Sequence, residues 1–342
     1  MTIEELAKSE GIWNIDERNH SDLVLKSSVR FTRNLSGYTF AHKLNKEEKD
    51  EISRIIIDSI NRSNCCANFV TYNFEDITGL DKKIFFERNI IGDDNVTESV
   101  LVLSENQNLY FILNSVDHLQ LITSWPGFGF DTMYVLGKKI IMSFEKQMDF
   151  AFSPRFGYLT SDPEKSGTGM VLSVILHLAE LIYSSRLNKL IVDLEKSGLA
   201  LRSSWIDGYY EIYNRVAVGQ SEKELYETTL GLFEEIISKE RSYRNETYKD
   251  NMNVIEDKVW RCYGILLSCR MVSLFEALEL LSNVRLGISL GIINYVNIRD
   301  INLLLHYIQD YHLRKRYNIR DESANLEEVR AIFIRDYLRE VI

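Results

Sequence analysis

The sequence predicts an α+β domain over residues 1–250, an antiparallel sheet flanked by helices, followed by an all-α helical domain over 251–342. Three observations predict it. Short β-prone runs rich in Val, Leu, Ile, Phe and Tyr recur between about 98 and 218. Segments with apolar residues three and four apart, the pattern of helices, are interleaved with them. Beyond about residue 250 the strand pattern stops and only helical spacing continues.

The elements follow in order. Residues 47–62 place Ile52, Ile55, Ile56 and Ile60 on one helical face. VLVLS, NLYFILN and HLQLIT, separated by Glu105-Asn106 and Asn114-Ser115, read as an antiparallel meander. A glycine-rich loop at 125–129 leads to a helix over 131–147, and FAFS (150–153) to a strand. After the loop at 159–169, the continuous apolar run over 170–185 reads as a helix. Strands are expected at 198–203 and 208–218. Ser221 with Glu224 opens a long helix, because the hydroxyl and the acid satisfy backbone N–H groups that a first helical turn leaves bare. The polar stretch at 241–253 is the best boundary. Four helices are expected beyond it, at about 254–271, 273–285, 300–316 and 325–341, with Ser273/Glu276 and Asn325/Glu328 as N-terminal signals. Leu326, Val329, Phe333 and Tyr337 share one face of the last.

Composition excludes several functions. The 342 residues are 45% hydrophobic and 26% charged, enough to bury a core. The net charge of −10 argues against a general nucleic-acid binder, whose affinity comes from basic residues on phosphates. No run reaches the ~18 apolar residues a membrane span needs, and the acidic N-terminus lacks the pattern of a signal peptide, so a cytoplasmic location is expected. Cys65-Cys66, Cys262 and Cys269 lack zinc-ligand spacing and read as reduced thiols, with no protein-bound metal expected.

Few residues carry chemistry on their own. Ser166-Gly167-Thr168-Gly169, read as lying between a strand and a helix, is either a backbone anion cradle or a plain tight turn. Arg30 and Arg33 are suited to gripping phosphate, but three residues apart on a strand they point to opposite faces, so at most one serves a common site. Asp117-His118 begins a strand without a nucleophile beside it, and a structural role is the simpler reading. His177, within the apolar run, reads as a satisfied core histidine.

The order of these pieces resembles the guanido phosphotransferase superfamily, specifically the bacterial protein-arginine kinases. The resemblance rests on SSVRFTRNL (27–35), FILNSVDHLQ (111–120), WPGF (125–128), MDFAFSPRFGYLT (148–160), GTGM (167–170), SVILHLAEL (173–181) and NRVAVGQSE (214–222). It continues through 259–293, a region creatine kinases lack. It implies a guanido-kinase-like catalytic domain, a helical dimerisation and phosphoarginine-reading domain, and Mg-ATP as cofactor in an active member.

Departures from the family's motifs matter as much. The family loop Asn-Glu-Glu-Asp-His-Leu-Arg stands here as Asn114-Ser115-Val116-Asp117-His118-Leu119-Gln120, without either glutamate or the arginine. The phosphate grip Ser-Ser-Arg-x-Arg stands as Lys26-Ser27-Ser28-Val29-Arg30. Val171 replaces an arginine after the Gly167-Thr168-Gly169 turn, and Asp162-Pro163 replaces Cys-Pro before it. Arg202-Ser203 keeps part of an Arg-Gly segment, with Asp207 the one acid near it, and Asn89 takes the place of a nucleotide-contacting histidine. The helical domain's Arg-Asp phosphoarginine pair falls at Leu326-Glu327, ahead of Arg330-Ala331 and Ile334-Arg335.

A guanidinium stays protonated and is a poor nucleophile, so carboxylates must orient and deprotonate it while cations and Mg²⁺ hold the nucleotide. Without those carboxylates and arginines, the expectation is a catalytically impaired member acting through partners in protein quality control. The resemblance implies a zinc-binding activator, an active kinase subunit or Clp protease components as those partners, and a possible homodimer. An active enzyme using substitutes (Asp117 for the carboxylate, Lys26 for a phosphate contact) and a nucleotide-sensing switch without transfer are the alternatives.

Overall fold

The structure, a computed structural model, describes residues 1–14, 19–63, 68–92, 96–206, 208–321 and 323–341. Cys65, Cys66 and Asp207 lie outside the described residues. The chain opens with α1 (Ile3–Lys8) and β1 (Val24–Arg33). It continues through α2 (Lys46–Arg62), β2 (Phe69–Asn73), α3 (Gly79–Glu87), the meander β3 (Val100–Ser104), β4 (Leu109–Leu113) and β5 (Leu119–Pro126), and α4 (Phe130–Phe144). A small hairpin, β6 (Phe152–Ser153) and β7 (Gly157–Tyr158), precedes β8 (Met170–His177), α5 (Ala179–Tyr183), α6 (Leu187–Lys196), β9 (Leu199–Ser203) and β10 (Tyr209–Asn214). The rest is helical: α7 (Glu222–Asp250), α8 (Met252–Ser268), α9 (Leu274–Ser289), α10 (Ile298–Tyr307), α11 (Asp310–Arg316) and α12 (Leu326–Val341).

Eight strands form one sheet in the order β2-β3-β4-β5-β1-β8-β10-β9, with every neighbouring pair antiparallel. Alternation along each strand divides the side chains. Val29 and Phe31 of β1, Leu119 and Leu121 of β5, and Leu172 and Val174 of β8 enter the main core, closed by Ile52, Ile56 and Ile60 of α2, Phe130 and Ile140 of α4, and Phe233 and Ile237 of α7. The opposite face is covered at its two ends. Leu6, Ile84 and Phe85 pack on β3 and β4, while Leu25, Ile175 and Tyr209 pack against the helices beyond α7. Between these two covers runs the strip that carries the candidate site.

The capping box expected at Ser221 forms: its hydroxyl accepts from the Glu224 N–H, and the Glu224 carboxylate accepts from the Ser221 N–H. Ser273 likewise accepts from the Glu276 N–H at the start of α9.

Two expectations are corrected. Most of the apolar run at 170–185 is strand β8, with only the short α5 after it. Because β8 is buried on both faces, Met170, Leu172, Val174 and Leu176 on one and Ile175 and His177 on the other, its sequence loses the alternation that marks a strand. The helix expected over 300–316 is two helices, broken at Ile308-Gln309. Among the described residues no helix is long and apolar enough to cross a membrane.

Candidate functional site

Since β8 is a strand, Gly167-Thr168-Gly169 opens a strand and not the helix expected after it, and of the two readings the tight turn is the one its hydrogen bonds describe. Two of its backbone donors serve the fold: the Gly167 N–H donates to the Tyr158 carbonyl (3.0 Å) and the Thr168 N–H to that of Ala217 (3.4 Å). The glycines allow close backbone contact. A Cβ on Gly167 (φ +98°) would lie 2.8 Å from the Ala217 carbonyl oxygen, and one on Gly169 (φ +59°) 2.6 Å from that of Thr32. Arg33 fastens this turn from below. Fully buried, it donates to the carbonyls of Thr32 and Thr168 (2.9 Å each), and its guanidinium lies 3.5 Å above the Tyr158 ring centre.

Arg30 lies on the other face, as alternation requires. Pairing sets it opposite Ile122 of β5 and Val171 of β8, with Ser28 opposite Ser124 and Ser173 and Gln120 opposite Thr32. Lys26, Ser28, Arg30, Gln120 and Val171 therefore share one strip, which Arg202 of β9 borders through its partner Glu211 on β10. Ser27 and Val29 turn away from it: Val29 is core, and the Ser27 hydroxyl bridges the Gly127 carbonyl (2.7 Å) and the Gly129 N–H (3.0 Å).

The charges on the strip are largely consumed by neighbours. Lys26 is buried, and its ammonium donates to the backbone carbonyl (2.9 Å) and side-chain oxygen (3.0 Å) of Asn89. Burial, above all, pulls its pKa down to about 8. Arg202 donates through Nε to the Glu211 carboxylate (2.8 Å), with Nη2 2.7 Å from the same oxygen. Arg30 keeps a buried Nε without a hydrogen-bond partner. Ser28 and Ser173 share a hydroxyl contact of 2.7 Å. Beside Lys26 there remains a cavity of about 10 Å³, walled by Trp13, Arg88, Tyr110 and His306, which is room for about one water.

The loop at 114–118 is a structural knot. The Asp117 carboxylate accepts from the Asn34 amide (2.7 Å) and the Ser161 N–H (2.7 Å). His118 accepts from the Leu35 N–H at Nδ1 (3.0 Å) and meets the Thr39 carbonyl at Nε2 (2.7 Å), which fixes Nε2 as the protonated nitrogen; burial holds its pKa down. Asn114, at φ +54°, binds the Lys49 carbonyl (2.8 Å) and the Ser53 hydroxyl (2.9 Å). The Ser115 hydroxyl is buried without a partner, and Val116 is exposed. A groove of about 550 Å³ beside the loop is lined by Glu98 and Lys49, which form an ion pair.

Sequence reasoning passed over Glu98 and Glu211, since neither belongs to a motif. It also missed His306, 280 residues from Lys26, and Trp13; a buried contact over such a span leaves no local signal. His177 is buried as expected, though on a strand. Its Nε2 lies 2.7 Å from the Ser282 hydroxyl, and burial lowers its pKa strongly. In the helical region Arg330 is buried and donates to the Ile308 (2.9 Å) and Val272 (3.0 Å) carbonyls, while Arg335 donates to that of Cys269. Leu326 and Glu327 begin α12, and the Glu327 carbonyl accepts from the Val272 N–H (3.2 Å). Among the described residues no group of three or more acids, histidines or cysteines is arranged to hold a metal.

This sheet, with its paired helical layers, defines a guanido-kinase fold. The model of the ATP:guanido phosphotransferase C-terminal catalytic domain matches residues 51–243, and that of the protein-arginine kinase McsB C-terminal domain matches 252–341. The chain belongs to the protein-arginine kinase family. It is 31% identical to the protein-arginine kinase of Syntrophomonas wolfei over 95% of this chain and 94% of that one. To the Bacillus subtilis protein-arginine kinase it is 31% identical over 89% and 86%. Among solved structures, a duplicated taurocyamine kinase from Schistosoma mansoni with bound transition-state-analogue components aligns with a TM-score of 0.60 at 21% identity, over 68% of this chain and 36% of that one. A lombricine kinase aligns with a TM-score of 0.54 at 17% identity, over 70% and 75%. Both show the fold.

Proposed function

We propose that this protein is a catalytically impaired member of the protein-arginine kinase family that acts through protein partners. The state of the strip's charges carries the reading. Phosphoryl transfer from Mg-ATP needs a preorganised set of cations, because charge must be held where it develops. Here Ser28, Gln120 and Val171 carry no charge, Lys26 is bound by Asn89, Arg202 is neutralised by Glu211, and the space beside Lys26 is water-sized. These residues fit a nucleoside triphosphate poorly. The loop that would orient a guanidinium offers Ser115 and Val116, while Asp117 is committed to Asn34 and Ser161. Loss of one electrostatic stabiliser costs on the order of 10²–10³ in rate, and several lost together leave little, although such effects do not add.

Partners of the kinds the family resemblance implies are the expected route of action: a zinc-binding activator, an active kinase subunit or Clp protease components. Arg30, with a buried Nε lacking a partner, favours one second reading, a nucleotide sensor without transfer. Incubation of the purified protein with Mg-ATP and an arginine-containing substrate protein tests the proposal. No phosphoarginine by mass spectrometry is the expected result. Acid-labile phosphorylation that disappears in Arg30→Ala refutes it.

A further inference from the structure

Three consecutive residues join the helices beyond α7 to the strip. Glu87 ends α3, and its carboxylate accepts from the N–H groups of Tyr311 (3.0 Å) and His312 (3.1 Å) and from Nδ1 of His312 (2.7 Å), all on α11. Its backbone carbonyl accepts from Nδ1 of His306 on α10 (3.0 Å). Arg88, buried, donates to Gln107 (2.9 Å) and to the Ser9 carbonyl (3.0 Å), with Nη1 3.4 Å from Nε2 of His312. Asn89 follows at φ +50° and closes both oxygens on Lys26. His306 meanwhile has ring contacts with Trp13 and Trp205, 5.4 Å from each; its Nε2 is buried without a partner, and the residue lines the small cavity it shares with Lys26.

We propose that docking of α10–α11 and occupation of the strip by nucleotide exclude one another, with Glu87-Arg88-Asn89 as the link between them. The docked helices fix Glu87 and Arg88, and thereby hold Asn89 on Lys26 and seat His306 beside it. A nucleotide reaching Lys26 must break the Asn89 contacts and displace His306, which loosens the grip of α10–α11 on α3. By reciprocity, a partner whose binding loosens that grip strengthens nucleotide binding by the same factor by which nucleotide strengthens the partner's binding. A partner that draws α10–α11 away from α3 would then switch the strip from closed to open. The inference rests on the family assignment of Lys26 and Asn89 to the nucleotide site.

Calorimetric titration of Mg-ADP into the full-length parent, Glu87→Gln and His306→Ala, with amide hydrogen exchange over 298–316, tests it. Glu87→Gln weakens the docking, and His306→Ala empties the seat while leaving the Glu87 carboxylate in place. Both variants are expected to bind Mg-ADP at least tenfold tighter than the parent, and exchange over 298–316 is expected to rise in Glu87→Gln. Faster exchange with unchanged affinity overturns the coupling. Absence of heat in all three proteins also overturns it, while leaving the proposal of an impaired kinase intact. Equal micromolar binding by parent and variants overturns the coupling and favours the nucleotide-sensor reading, while the phosphoarginine assay decides the impaired-kinase proposal separately. If Glu87→Gln does not fold, His306→Ala decides alone by the same affinity criterion.

Discussion

Lys26 sits at the hinge of these readings, and its burial makes a quantitative prediction. An ammonium held down at about 8 in the folded chain, against 10.5 ordinarily, is more costly to keep charged when folded than when unfolded. At about 1.4 kcal/mol per pH unit, the gap amounts to about 3 kcal/mol below pH 8. The sign follows from proton counting. Between pH 8 and 10.5 the unfolded chain binds the proton and the folded chain does not, so stability rises with pH across that window. Lys26→Met keeps the aliphatic stem and removes the charge. After allowance for the lost bonds to Asn89, the variant should be more stable than the parent by about 1–2 kcal/mol at pH 7. The advantage should shrink by about 2 kcal/mol by pH 9.5 as the parent's ammonium discharges. Urea unfolding of both proteins at pH 7 and 9.5 measures this difference. A gap that does not change with pH, or a variant less stable at pH 7 than at 9.5 relative to the parent, refutes the description of Lys26 as a buried, desolvated cation. It would also restore Lys26 as a candidate phosphate contact.

Other residues give predictions of the same kind. Arg33→Ala loses two carbonyl bonds and the Tyr158 stack beneath the Gly167-Thr168-Gly169 turn, and should destabilise by about 3 kcal/mol in urea unfolding. Gly169→Ala should cost about 2 kcal/mol, since its Cβ would meet the Thr32 carbonyl. Gly37→Ala, at φ +88° with nothing within 4 Å, isolates the backbone part of that penalty and should cost about 1 kcal/mol.

Legibility in the sequence followed the physics of each signal. The meander and the α7 cap were readable because their turns and caps are local chemistry, and the opposite facing of Arg30 and Arg33 followed from alternation alone. β8 was misread because a strand covered on both faces is apolar at every step, and its length fits a helix as well. The break at Ile308-Gln309 carries neither glycine nor proline, so periodicity runs through it unmarked. At the strip, the identities of Ser28, Gln120 and Val171 were plain from the motifs. What occupies Lys26 and Arg202 was not, because Asn89 lies 63 residues from Lys26, and Glu211 reaches Arg202 only through the pairing of β9 with β10.

The two-sided character of β1 and β8 has a practical consequence. Ser28 and Val171 are half-buried on the strip, while their neighbours Val29 and Leu172 hold the main core from the other side. Arginine could be installed at either position, singly or together, without repacking anything on the core side. The chain would then serve as a scaffold for adding phosphate-binding cations one charge at a time, with each variant's Mg-ADP affinity read against that of the parent.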